Sequence, residues 1–190
     1  RRGYAAMRAP LWISPALLFF QRKRSLPFYL VEINAGAGLN LAADAARPQK
    51  AFDSGLVAAR IGLDSQPLEL SDIAHWRWLT ASIMPDDMRN ITAMDKARDI
   101  VLAQRSRDPA FIQLVPCAAE LAPRFIARNI PVDDDVGLML LNTDTTAHMT
   151  DPEYARFALA IRGIMRPWGD RALWVEIEPL RHDIRSEICQ

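Results

Sequence analysis

Gly36 and Gly38 stand two positions apart in a chain of 190 residues with only 8 glycines. They follow Leu30-Val31-Glu32-Ile33, a run of the kind that forms a buried strand. A chain leaving such a strand to approach a ligand closely needs residues that accept positive φ, and the glycines do so without a steric cost. Asn34 is the best substitute among residues with a side chain. The segment Glu32-Ile33-Asn34-Ala35-Gly36-Ala37-Gly38 therefore reads as a ligand-binding turn, with a helix starting near Leu39 to aim its N–H groups at the ligand. The same residues also suit a tight strand-to-helix turn that binds nothing.

A second acidic residue, Asp64, closes Arg60-Ile61-Gly62-Leu63-Asp64. An acid at the end of a second strand can accept ribose hydroxyls, or serve as a turn residue ahead of Pro67. It lies 26 positions beyond Gly38 (64 − 38), so a loop over 47–55 must intervene. A dinucleotide site would want a third glycine, for helix–strand packing and pyrophosphate, where this chain has Leu41. That disfavours a nicotinamide or flavin dinucleotide.

After a strand over 136–141 come Asn142, Thr143, Asp144, Thr145, Thr146 and His148. These are the substrate-side candidates, with Asp144 or His148 as the base that a proton-bearing acceptor needs. A polar turn leading to a helix cap at Asp151 accounts for them equally well. Glu176 and Glu178 share one face at the end of a fifth strand. His75 on an amphipathic helix reads as structural. No third ligand is spaced to join Asp144 and His148 around a metal, and two cysteines, Cys117 and Cys189, make no zinc cluster.

Alternating elements must position these groups. Strands are expected at 28–33, 56–63, 111–115, 136–141 and 173–177. Helices are expected at 39–46, 71–83, from 85 or 86 through about 104, at 118–129, and from 150 or 151. Strands alternating with helices predict an α/β fold, a Rossmann-like doubly wound and mostly parallel sheet in three α/β/α layers. Its ligand crevice lies at the C-terminal strand ends where the order reverses. Residues 1–27 are expected to form a helical segment, with the Rossmann-like domain over 28–190. The stretch 9–20 is too short to span a bilayer and lacks a signal-peptide layout. The chain begins at Arg1, which suggests trimming.

Lys plus Arg balance Asp plus Glu at 23 each, which removes the electrostatic case for nucleic acid or anionic membrane as partner. The expected partner is a small-molecule substrate, with a homo-oligomer as the expected assembly. Cysteine usage points to a reducing cytoplasm.

On Glu32–Leu41 and Arg60–Leu68 the chain resembles a bacterial domain-of-unknown-function family, number 2332. Its members read E-x-G-A-S-A-G-L-N-L and later G-L-D-x-x-P-L-D. The resemblance continues through Trp78-Leu79 and Met84-Pro85 to Trp174–Pro179. That family resembles class I S-adenosylmethionine-dependent methyltransferases, which implies S-adenosylmethionine as cofactor and a methyl transferase activity. By the resemblance, Glu32, Gly36 and Gly38 line the methionine end of the donor and Asp64 holds the ribose. Cys117 takes the position where methyltransferases carry an adenine-contacting aspartate. Asn34 stands where the family has glycine, and Asn142 belongs to the same crevice. A non-catalytic Rossmann-like interaction module is the alternative, and an NAD-dependent enzyme a third.

Overall fold

The structure, a computed structural model, describes residues 10–46, 48–81, 83, 86–147 and 149–177, with only the backbone described at 10 and 11. The most apolar runs form its centre. Strand β1 (Phe28–Ile33) and strand β4 (Gly137–Thr143) are buried almost throughout, because each is paired on both edges and covered on both faces. Strands β2 (Val57–Asp64), β3 (Gln113–Pro116) and β5 (Ala172–Ile177) complete one sheet in the order β3-β2-β1-β4-β5. Every pairing is parallel. This is the expected Rossmann-like arrangement, and the order reverses between β1 and β4.

Strand alternation sorts side chains into two layers. Leu30 and Met139 join a core with helix α1 (Pro10–Ala16), the π-helical turn Leu17–Arg22 that continues it, and helices α2 (Ala43–Ala46), α3 (Ile73–Thr80) and α4 (Met88–Arg107). Val31, Ile33, Leu138 and Leu140 join the other core, with helices α5 (Ala122–Asn129) and α6 (Asp151–Met165). The helical residues from Pro10 onward contribute Trp12, Ile13, Ala16 and Phe20 to the first core.

Several element ends differ from the sequence expectation for local reasons. Asp72 caps α3, its side chain accepting from Ala74 N and His75 N, so the helix starts at Ile73, which is left 54% exposed. Asp87 caps α4, and its first residue, Met88, is 62% exposed, so the apolar stripe starts one turn later. Pro123 does not interrupt α5, since it occupies the first turn, where proline loses no helical hydrogen bond. The start of α6 is a capping box between Thr150 and Glu153.

Gly137 opens β4 beneath an aromatic stack in which Phe20 and Phe28 lie nearly parallel, ring centroids 4.3 Å apart. A Cβ at Gly137 would stand 2.4 Å from Phe20 Cε1 and 2.9 Å from the Arg171 carbonyl oxygen. Replacing a strand glycine with alanine ordinarily stabilises by about 0.4–1 kcal/mol through the unfolded chain. Overpacking costs about 1–3 kcal/mol and outweighs that gain. Gly137→Ala is therefore expected to lower the urea midpoint, with a net loss of about 1–2 kcal/mol. An unchanged or raised midpoint would show that the stack yields freely.

Candidate functional site

The turn after β1 is fixed by its neighbours. Asn34 N and Ala35 N both donate to the Leu63 carbonyl, at 2.8 and 3.1 Å, which draws the chain over the end of β2. Asn34, Gly36 and Gly38 take φ values of 66°, 59° and 73°. Gly36 N then donates to Asp64 Oδ2 at 2.8 Å, while Gln66 N donates to Asp64 Oδ1 at 2.8 Å. Leu68 N closes the other side on the Gly36 carbonyl. Gly62 lies beneath the turn, where a Cβ would meet Leu114 Cδ2 at 2.7 Å and Ala35 Cβ at 2.9 Å. Both glycines of the turn are buried, and Asp64 is buried with them.

The helix expected from Leu39 begins as a tighter turn. Leu41 N and Ala42 N turn back onto the Gly38 and Leu39 carbonyls, forming a 3₁₀ turn, Asn40–Ala42, ahead of the four-residue α2. The 3₁₀ turn places Asn40 against the side chain of Glu32. Glu32 is 1% exposed. Its Oε1 accepts from Asn40 Nδ2 at 2.7 Å and from Thr143 Oγ1 at 3.4 Å, whereas its Oε2 is buried without a hydrogen-bond partner. Burial pushes the Glu32 carboxyl up to about 8, and the Asp64 charge adds to the rise; the bonds from Asn40 and Thr143 oppose it. Glu32 is thus a neutral acid at pH 7, held in the shared end of β1 and β4.

The turn after β4 is tied to the turn after β1. Asn34 Nδ2 reaches the carbonyls of Thr143 and Asp144, at 3.4 Å each, and Thr145 Oγ1 donates to the Ile33 carbonyl at 3.0 Å. Asp144 adopts φ 50°, and its N–H donates to Ile177 O at the end of β5. A non-glycine residue at positive φ in each of two facing turns is strain of the kind that collects at ligand sites.

On the opposite face of the sheet Asn142 is fully buried. Its Oδ1 accepts from the Trp174 indole N–H, and its Nδ2 donates to Glu176 Oε1 at 3.3 Å. Thr146 Oγ1 donates to the same oxygen at 3.3 Å, and Tyr154 OH to Glu176 Oε2 at 3.0 Å. Beside this network, Thr145, Met149, Phe157 and Glu120 line a cavity of about 650 Å³ between the start of α5 and α6. Cys117 sits nearby at the end of β3. Its N–H donates to Asp64 O at 2.7 Å, and burial with the Glu120 charge pushes its thiol up, so it is no ready nucleophile.

Glu32, Asn34, Asp144 and Asn142 therefore gather at the C-terminal ends of β1 and β4, with Gly36, Gly38 and Asp64 forming the adjoining turn. His148 and Glu178 lie outside the described residues. His75 is structural, its Nδ1 accepting from Glu69 N. Sequence reasoning missed Asn40; the signal was a lone amide directly after the glycines in an otherwise apolar helix start. It also missed Tyr154 as a residue that holds Glu176. Among the described residues there is no group of three or more metal-ligating side chains, and no helix long and apolar enough to cross a membrane.

A family model described as an uncharacterised protein conserved in bacteria (DUF2332) matches residues 45–188. No curated protein and no solved structure matches the chain.

Glu32 also sets a pH dependence. The native state keeps its proton up to about 8, whereas an unfolded glutamate releases it near 4.5. Below 4.5 both states hold the proton and nothing is lost. Between the two values the native state binds more protons, so stability falls as pH rises, by a few kcal/mol at most. Urea midpoints should fall from pH 5.5 to pH 8.5 in the wild type, and Glu32→Gln should flatten this slope and be the more stable protein at pH 8.5. Parallel slopes in the two proteins would place the titration elsewhere.

Proposed function

The chain belongs to DUF2332, the bacterial family matched over residues 45–188, and from that premise we propose that it binds S-adenosylmethionine and methylates a small-molecule acceptor. The observation that carries this reading is the buried Glu32 Oε2, a carboxyl oxygen without a hydrogen-bond partner at the point where the strand order reverses. A parallel sheet places its ligand at that point. An orphaned buried carboxyl oxygen costs free energy unless a ligand supplies the missing donor. The methionine ammonium of the cofactor would be such a partner for Glu32 Oε2.

The cofactor supplies a methyl group on a positively charged sulfur. The chain supplies position and charge. Glu32, neutral alone, ionises when an ammonium is drawn beside it, because opposite charge at close range offsets the burial that raised it. Asp64 uses one lone pair of Oδ2 on Gly36 N and one of Oδ1 on Gln66 N, and keeps a second on each oxygen for a ribose hydroxyl. Cys117 and the neighbouring cavity between α5 and α6 border the space for the adenine. Asn142 braces the β4 end, and Asp144, with His148, is the candidate base for an acceptor proton. Leu41 stands against a dinucleotide, since its buried side chain fills the place of the third glycine.

A second reading, a non-catalytic interaction module on the same fold, has an observation of its own. The turn N–H of Gly36 and both oxygens of Asp64 are already satisfied by one another and by Gln66, so the turn is complete without a ligand.

Calorimetry with S-adenosylhomocysteine, the demethylated product, separates the two. A saturable heat is expected at pH 7, larger or smaller with the ionisation enthalpy of the buffer because Glu32 releases its proton on binding. Glu32→Gln is expected to weaken binding by about tenfold or more, about 1.4 kcal/mol, and to abolish the buffer dependence. NAD should give no heat. A folded protein that takes up no S-adenosylhomocysteine at millimolar concentration would leave only the module.

A further inference from the structure

A second polar site lies back to back with Glu32. Asn142 and Glu176 are register partners on β4 and β5, and they project to the face that carries α5 and α6. Glu176 is exposed at its rim. Three donors on three separate pieces of chain hold its carboxylate: Asn142 on β4, Thr146 in the turn after β4, and Tyr154 on α6. All three are neutral. Among the described residues no Lys, Arg or His pairs with Glu176, although the chain pairs Asp44, Glu69, Asp134 and Asp170 with arginines elsewhere. Neutral donors fix the direction of a carboxylate, and among the described residues no cation compensates the charge of Glu176.

The surroundings suit a cation. Trp174, two residues before Glu176 and so on the same face of β5, is locked by its indole N–H to Asn142 and meets Phe157 edge to face at 6.4 Å. Tyr154 flanks the carboxylate from α6. Aromatic rings beside an oriented carboxylate attract an organic ammonium through both ring face and charge. The network also puts an amide on a central strand that is otherwise buried and apolar. Such an amide is tolerated only when its hydrogen bonds are complete, and here two of them go to the residues that shape this rim.

We propose that Glu176, Tyr154 and Trp174 form a binding subsite for an organic ammonium group, held by the Glu176 carboxylate and positioned through Asn142. The subsite lies on the face of the sheet opposite Glu32, beside the cavity between α5 and α6, and rests on a reading separate from that of the ligand at Glu32. If that reading holds, the cation belongs to the second substrate.

The test is an NMR titration of the ligand-free protein with n-butylammonium chloride, followed on the Trp174 indole N–H, which Trp174→Phe identifies. A saturable shift at millimolar concentration is expected, absent with butyrate and with the uncharged alcohol 1-pentanol. Glu176→Gln, with an unchanged thermal midpoint, should weaken binding about tenfold or more. No saturable shift in the wild type, or equal shifts with 1-pentanol, would overturn the proposal; so would undiminished binding in a folded Glu176→Gln. The pentanol comparison uses only the wild type and decides the matter even if that variant fails to fold. Because no adenosyl compound is present, loss of S-adenosylhomocysteine binding and loss of ammonium binding are separate outcomes.

Discussion

The ligand end of this sheet depends on one carboxylate, Asp64, turned back onto the backbone of the strand beside it. Its two oxygens accept from Gly36 N and Gln66 N, and hydrogen bonds to a charged acceptor contribute about 1.5–3 kcal/mol each. That grip is possible only because Gly62 offers no Cβ beneath Ala35 and because Gly36 and Gly38 adopt positive φ. Once the turn is down, the chain re-enters as a 3₁₀ turn and presents Asn40 to Glu32. The same closure removes Glu32 from water. Its raised proton affinity is thus a consequence of how Asp64 folds the turn, as well as of the Asp64 charge itself.

The fold was legible because its signals are periodic and local. Apolar runs of strand length, helical stripes and an S/T-x-x-E cap at Thr150 each point to one element, and their alternation admits one architecture. Glu32, Asn34, Gly36, Gly38, Asp64 and Asn142 could be picked out because each is a polar or small residue at the end of a strand. What could not be read was the direction in which hydrogen bonds run. Nothing in the residue types says that Asp64 serves the turn before any ligand, or that Leu41 N returns to Gly38 O. Asn40 and Tyr154 were illegible for a related reason. Each acts across the fold, on a partner 8 or 22 residues away, and their local patterns advertise only a helix.

Element ends show the same division. Ile73 and Met88 match the apolar period yet face water, because an aspartate directly before each starts the helix there and fixes its phase. A period determines which residues share a face, while the cap determines where the face begins. Buried charge behaves likewise. Arg60 reads as an ordinary strand residue, but it reaches Asp44 through two bonds, at 2.8 and 2.7 Å, and lies over the Phe111 ring. That pair pins the four-residue α2, too short to persist alone, against the sheet. Removing either partner would leave the other buried and unpaired, at a cost of about 3–5 kcal/mol.

Strand alternation then divides the polar end of the sheet into two compartments. Glu32 and Thr143 face one side, Asn142 and Glu176 the other, and the backbone of β1 and β4 runs between them. The two carboxyl groups meet opposite physical conditions. Glu32 is enclosed, accepts from two neutral donors and has its proton affinity raised by burial. Glu176 is open to water and its carboxylate is fixed from three directions. Asn34 and Thr145 are what join the compartments. They bind the end of β1 to the turn after β4.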